Sequence, residues 1–319
     1  MDYTPKYIKQ LFTQNSPNSL MVLFGAALCS FFLAQFVGAV LAFVLLGFDQ
    51  DLLKVLFEDP QSDPANRMIL MAVQGANSVM MFIGTPLLYL KFYEKTKPFD
   101  AFKTFGGKSL VLMLVLTLFI VLLYMPLSAF IIQWNENIVF PEWMSGFAER
   151  AREMEDKVKE LTMFLIQFES TTDFLIGLFV VAVLPGIGEE LLFRGVLQNK
   201  LRSFTNNSHI AIWISAILFS AFHFQFFGFV PRMLLGALFG YLYIWSGTLW
   251  VPIFAHFCNN GITLLVFYLS KKEMVDIDQQ AENANIWWAL TSFWLVIGLL
   301  YYFKTQLIGG FGTKEKNSV

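Results

Sequence analysis

Three apolar stretches of this chain carry polar side chains at helical spacing. They are Glu189 and Glu190 with Arg194, His223 four residues after Phe219, and His256 four residues before Asn260. A charge near a bilayer centre costs about 2.5–3.5 kcal/mol on insertion scales, so a chain that carries several is using them together. Carboxylates, imidazoles and a carboxamide are the parts that amide hydrolysis needs. A desolvated glutamate is a base poised toward neutral pH, while imidazole N–H and amide NH2 groups are donors for a developing oxyanion. No covalent nucleophile is required.

Helical geometry separates the two carboxylates. Glu189 and Glu190 point about 100° apart, whereas Glu190 and Arg194 lie one turn apart with the acid N-terminal to the base, the favoured order for an ion pair. Glu190 is thus expected on Arg194, leaving Glu189 to face elsewhere. The pair alone has a structural explanation, a lock between spans; the second carboxylate does not. Phe219 shares a face with His223, as His256 does with Asn260, and Asn259 points away. His209, beside Asn206, Asn207 and Ser208, reads as a residue of a helix start and stays outside the site. Cys258 is two residues from His256 and points about 160° from it, so the sequence does not favour a Cys–His pair, and neither Cys29 nor Cys258 suggests a disulfide.

These residues must be held by membrane helices. The chain is 56% apolar and only 14% charged, and its uncharged runs are longer than soluble amphipathic stripes. Runs at 19–48, 68–92, 109–133, 174–199, 209–227, 230–247, 250–269 and 286–304 predict an all-α polytopic transmembrane bundle of about eight spans. Seven is the alternative, because the region around Gly228 and Pro231 can hold a broken or re-entrant arrangement. The first run is too long for a signal-peptide core and is expected to stay as a span. The domain reading is a cytoplasmic tail over 1–18, one membrane domain over 19–304 with a catalytic core near 170–270, and a second cytoplasmic tail over 305–319.

Lys91, Lys95, Lys97, Lys103 and Lys108 crowd one inter-span loop, a positive-inside signal that puts both termini in the cytoplasm of a cell, plasma or inner, membrane. The loop 134–173 falls outside; its mixed-sign run from Glu149 to Glu160 predicts a surface-lying helix, with substrate gating as the sharper reading. Pro185, Gly186 and Gly188 weaken the helix around Glu189, and such breaks persist at membrane depth only where protein or a water-filled cavity satisfies the backbone, so a cavity beside Glu189 is expected. The 36 Phe residues suit lipid contact and packing. Nothing in the chain reads as a nucleic-acid motif or a phosphate loop.

Glu-Glu-x-x-x-Arg at 189–194, Phe-x-x-x-His at 219–223 and His-x-x-x-Asn at 256–260, in that order, resemble the three-motif signature of the CPBP family of intramembrane proteases. That family includes the glutamate-type CAAX prenyl endopeptidase and bacterial relatives. The resemblance covers about 170–270. It implies a helical bundle around a polar cavity open to the cytoplasm or to lipid, with Glu189 and His223 activating a water, His256 and Asn260 stabilising the oxyanion, and Glu190, Arg194 and Phe219 in support. It implies a peptide or membrane-protein substrate, in bacterial-type members not necessarily prenylated. A metal-free glutamate mechanism is favoured because His-Glu-x-x-His is absent; the alternative is zinc on Glu189, His223 and His256. A second class of function is a non-proteolytic scaffold, immunity protein or transporter that uses the same polar cluster.

Overall fold

The computed structural model describes residues 17–97, 102, 110–272 and 285–308. The expected tails fall largely outside these residues, as do Lys103 and Lys108. All regular structure among the described residues is helical. We number the helices α1 (Pro17–Leu45), α2 (Gln50–Glu58), α3 (Asn66–Tyr93), α4 (Leu110–Glu136), α5 (Ser145–Leu165), α6 (Thr171–Thr205), α7 (Ser208–Ala221), α8 (Phe229–Ser246), α9 (Trp250–Lys271) and α10 (Ile286–Ile308).

Seven of them, α1, α3, α4, α6, α8, α9 and α10, are long and apolar enough to cross a membrane. The chain is an integral membrane protein. The eighth expected span is α7, which is apolar but only 14 residues long. It stops at Ala221 and not at 227, because Phe224 takes a left-handed backbone (φ 54°) that no helix continues. The region flagged around Gly228 and Pro231 is therefore a turn between two packed helices, α7 and α8. Phenylalanines such as Phe24, Phe32 and Phe36 on α1 are exposed, as lipid-facing side chains are.

α3 and α6 run parallel and are pinned to each other near both ends. Arg67 meets Asp173 at 2.7 Å near one end, and Lys200 pairs with the buried Glu94 at the other. Tyr89 donates to Glu94 at 3.0 Å and is 3.1 Å from the Ser19 carbonyl, which brings the start of α1 into the same polar knot. α6 has 35 residues, about 52 Å at 1.5 Å per residue, well beyond the ~30 Å of a hydrocarbon core. Its register is reset by π-helical stretches at Phe179–Val183 and Leu191–Gln198, on either side of Leu184–Glu190. Single wide turns of this kind re-aim side chains at a modest cost in hydrogen bonding.

The Pro-Gly-Ile-Gly run has a packing role that its composition does not show. An added Cβ at Gly186 would sit 3.3 Å from the Ile253 carbonyl oxygen of α9, and one at Gly188 only 2.7 Å from Cβ of Phe82 on α3. The glycines let α6 approach both neighbours, and the space expected for a cavity beside Glu189 is filled at these two positions by α9 and α3. Gly188→Ala should therefore cost about 1–3 kcal/mol through overpacking. Gly25→Ala, where nothing lies within 4 Å, should be neutral. Thermal melting of the two purified variants in detergent checks the contrast, and equal melting temperatures would contradict it.

Candidate active site

The centre of the site is a buried carboxylate. Glu190 is fully buried, and its Oε1 accepts from Arg194 Nη1 at 2.7 Å and from His256 Nδ1 at 2.9 Å. The second guanidinium nitrogen of Arg194 donates to the Gly236 carbonyl at 2.8 Å, and the group lies over the rings of Phe219 (4.8 Å) and Phe239 (5.6 Å). One ion pair thus ties α6 to α8 and, through His256, to α9. The intrahelical pairing expected from spacing is present; its extension to His256 was not legible from spacing.

Glu189 points away from that pair. Its Oε2 is 3.9 Å from His256 Nε2, too long for a hydrogen bond, and has no hydrogen-bond partner in the protein. His256 therefore sits between two carboxylates, held by one and facing the other. Since Nδ1 donates to Glu190, Nε2 can donate only when the ring carries both protons.

His223 follows the last turn of α7. Its Nδ1 is 2.9 Å from the Phe219 carbonyl, an acceptor, so Nδ1 carries the proton and Nε2 is left with its lone pair. The Phe219 ring lies 5.2 Å from His223 and 6.1 Å from His256. One aromatic side chain, buried against Gly236, thereby spaces both histidines and the Arg194 guanidinium. No direct hydrogen bond joins Glu189 to His223 among the described residues. Both lie in the electrostatic field of His256 or Glu190 and of a residue that sequence reasoning missed, Arg232.

Asn260 is engaged with the backbone. Its Nδ2 donates to the Val181 carbonyl at 3.0 Å, and its Oδ1 accepts from Asn259 at 3.1 Å. Val181 is four residues before Pro185, which has no N–H to offer it, so Asn260 satisfies a carbonyl that the proline leaves open. His209, as expected, belongs to a helix start: Asn207 caps α7, and His209 Nδ1 lies 2.8 Å from the Tyr241 hydroxyl. Cys29 and Cys258 are both free thiols. Among the described residues no three His, Cys, Asp or Glu side chains group as metal ligands would.

A cavity of about 410 Å³ opens between α4, α5, α8 and α9, lined by Arg232, Asn259, Glu155 and Glu136 among apolar residues. It lies at the end of the bundle that carries α5, the end expected outside and not the cytoplasmic one. α5 is mostly exposed, and docks through Glu155, which accepts from Gln225 Nε2 at 3.1 Å and from the Phe227 amide at 3.2 Å. Gln225 in turn accepts from Arg232 Nη2 at 2.7 Å. Arg152 stacks over Phe227, and Asn135 of α4 donates to the Phe227 carbonyl. The turn that follows His223 is therefore built by the long loop. The signal for Arg232 was present as a lone arginine beside Pro231 at the start of an apolar run; Gln225 and Glu155 carried no local signal.

Residues 171–262 match the family model for the type II CAAX prenyl endopeptidase Rce1-like proteins. The match contains every polar residue of the cluster. The likeness to the Rce1-like family is confined to this segment, under a third of the chain. The chain is 34% identical over 86 residues to the uncharacterised protein YpbD of Bacillus subtilis (strain 168), covering 26% of this chain and 41% of that one. It is 28% identical over 113 residues to the membrane-embedded CAAX protease MroQ of Staphylococcus aureus (strain USA300), covering 34% and 45%. The chain thus matches less than half the length of either relative. No solved structure matches it. The Rce1-like segment coincides with α6 to the middle of α9, and the helices before it lie outside the match.

Breaking the central pair should be costly. Arg194→Met leaves Glu190 buried without its guanidinium and should destabilise the chain by about 3–5 kcal/mol, read as a lower melting temperature in detergent. A melting temperature unchanged from the wild type would contradict this. The docking of α5 should depend on pH. Burial pushes the Glu155 carboxyl above the ordinary carboxylate range, against the pull of the Phe227 amide and Arg232, with Glu136 and Asp156 adding to the rise. A group so raised holds its proton more tightly folded than unfolded, so its contribution is full below the ordinary carboxylate pKa and is lost as pH climbs through the raised value. Hydrogen exchange at the Phe227 amide, corrected for intrinsic base catalysis, should lose protection over that window in the wild type. Glu155→Gln should abolish the trend; an identical trend in the variant would contradict it.

Proposed function

We propose that this protein is an intramembrane endopeptidase in which Glu189 and His223 activate a water while His256 and Asn260 stabilise the oxyanion. The observation that carries the reading is the division of labour between the two adjacent carboxylates inside the Rce1-like segment. Oε2 of both acids lacks a hydrogen-bond partner, but Glu190 is held through Oε1 by Arg194 and His256, whereas Glu189 only faces His256 at 3.9 Å without a bond. A buried carboxylate that no protein group binds is costly, and such groups cluster at functional sites.

In the proposed reaction a water attacks the scissile carbonyl carbon and gives its proton to Glu189, with His223 Nε2 as the second acceptor. The new C–O bond pushes the carbonyl electron pair onto oxygen, where a doubly protonated His256 and the remaining N–H of Asn260 can donate. Collapse of the intermediate breaks the C–N bond, and the proton passes to the leaving amine. Glu190 and Arg194 hold the imidazole of His256 in one orientation. The favoured form uses no metal; zinc on Glu189, His223 and His256 is the competing mechanism, and metal content measured on the assayed sample separates them.

The relative MroQ is described as a membrane-embedded CAAX protease. Its reaction supports cleavage of a peptide or a membrane-protein segment here. A cell membrane with cytoplasmic termini is part of the same proposal, supported by the lysine-rich loop around Lys91–Lys97. Glu189→Gln and His223→Ala should each abolish cleavage of a peptide pool by the purified protein in lipid nanodiscs while leaving size-exclusion behaviour unchanged. Full activity in both variants would overturn the assignment. Substrate-dependent transport into vesicles without cleavage would favour the non-proteolytic reading.

A further inference from the structure

Arg232 has a position that neither the resemblance nor the family match assigns. It stands in the first turn of α8, lines the cavity between α4, α5, α8 and α9, and donates Nη2 to Gln225. Its Nη1 is buried and has no hydrogen-bond partner. The cavity is also lined by Asn259, which donates to Asn260, and Gln225 stands two residues after His223, so the guanidinium sits on the wall between the α5 dock and the proposed site. The donors assigned to the oxyanion are, by contrast, partly spent: Asn260 on Val181, and His256 Nδ1 on Glu190.

We infer that Arg232 is a further catalytic residue, whose Nη1 donates to the scissile carbonyl oxygen of a peptide backbone entering through this cavity and holds the negative charge that forms there. The inference rests on the hydrolytic reading above. The cavity itself argues for a carbonyl over an anionic ligand, because Glu136 and Glu155 both line it and would repel a carboxylate. A neutral carbonyl passes those groups and becomes anionic only when water adds to it, beside a guanidinium that stays charged at any working pH. When the water adds, the carbonyl electron pair moves to the oxygen facing Nη1; when the C–N bond breaks, that pair returns and the contact weakens. Such a donor acts on the transition state and not on substrate binding. Gln225, itself held by Glu155, fixes the guanidinium plane and is a positioning residue.

The test uses the full chain in lipid nanodiscs, a mass-spectrometric pool of synthetic peptides, and the pool member that the wild type cleaves fastest. Arg232→Gln should lose about 10²–10³-fold in kcat with KM within about threefold of the wild type, the cost of removing one oxyanion donor. Arg232→Lys should recover part of the loss, and added ethylguanidinium should restore part of the activity of Arg232→Ala. Melting temperature and elution volume are read on each sample. A kcat for Arg232→Gln within about threefold of the wild type overturns the role of Arg232 and leaves the hydrolytic reading standing. So does a loss that neither lysine nor ethylguanidinium relieves, or one that appears in KM alone. A wild type that cleaves no member of the pool overturns both.

Discussion

The structure depends on the cost of a full charge at membrane depth. Glu190 has no exposed surface, and in a low-dielectric interior its carboxylate can be kept only with close, geometrically good partners. Arg194 supplies one and His256 another, and the bond from Arg194 to the Gly236 carbonyl then brings α8 to the same point. The rest of the arrangement follows from making these partners reach one another. The π-helical stretches on either side of 184–190 set the aim of α6, Gly186 and Gly188 let it close on α9 and α3, and Phe219 fills the space between arginine and histidines.

The same constraint gives the neighbouring carboxylate its character. Adjacent residues on a helix point about 100° apart, so with Glu190 turned to Arg194 and His256 Nδ1, Glu189 faces the other nitrogen of the same imidazole. It meets His256 at 3.9 Å and forms no hydrogen bond through Oε2. The ion pair ties the helices together, and the acid beside it is the one the proposed hydrolysis uses. The two histidines differ in a matching way: His256 is clamped by Glu190, whereas His223 spends Nδ1 on a backbone carbonyl and leaves Nε2 with its lone pair.

Much of this was legible in the sequence because helical periodicity is local. The Glu190–Arg194 bond, the shared face of Phe219 and His223 and the exclusion of His209 all follow from four-residue spacing or from cap chemistry. The run at 209–227 is an apolar helix as expected but a shorter one, and a backbone conformation sets its end: Phe224 lies at φ 54°, a region to which no propensity assigns a phenylalanine. The glycines were read as weakness and proved to be contact points, since only the neighbouring helix shows what a Cβ would strike. Asn260 on Val181 and Glu155 on the turn after His223 join residues 79 and 72 positions apart, beyond the reach of any periodic pattern.

The central claim is that water, activated at Glu189, is the nucleophile. Its most direct test is a single-turnover reaction of the reconstituted protein with a peptide pool in H2¹⁸O, quenched in acid, with masses read for both the products and the intact chain. The account predicts new C-termini carrying one ¹⁸O atom and a protein of unchanged mass throughout the time course. A transient acyl adduct on the chain, or a pool that remains uncut, would contradict it.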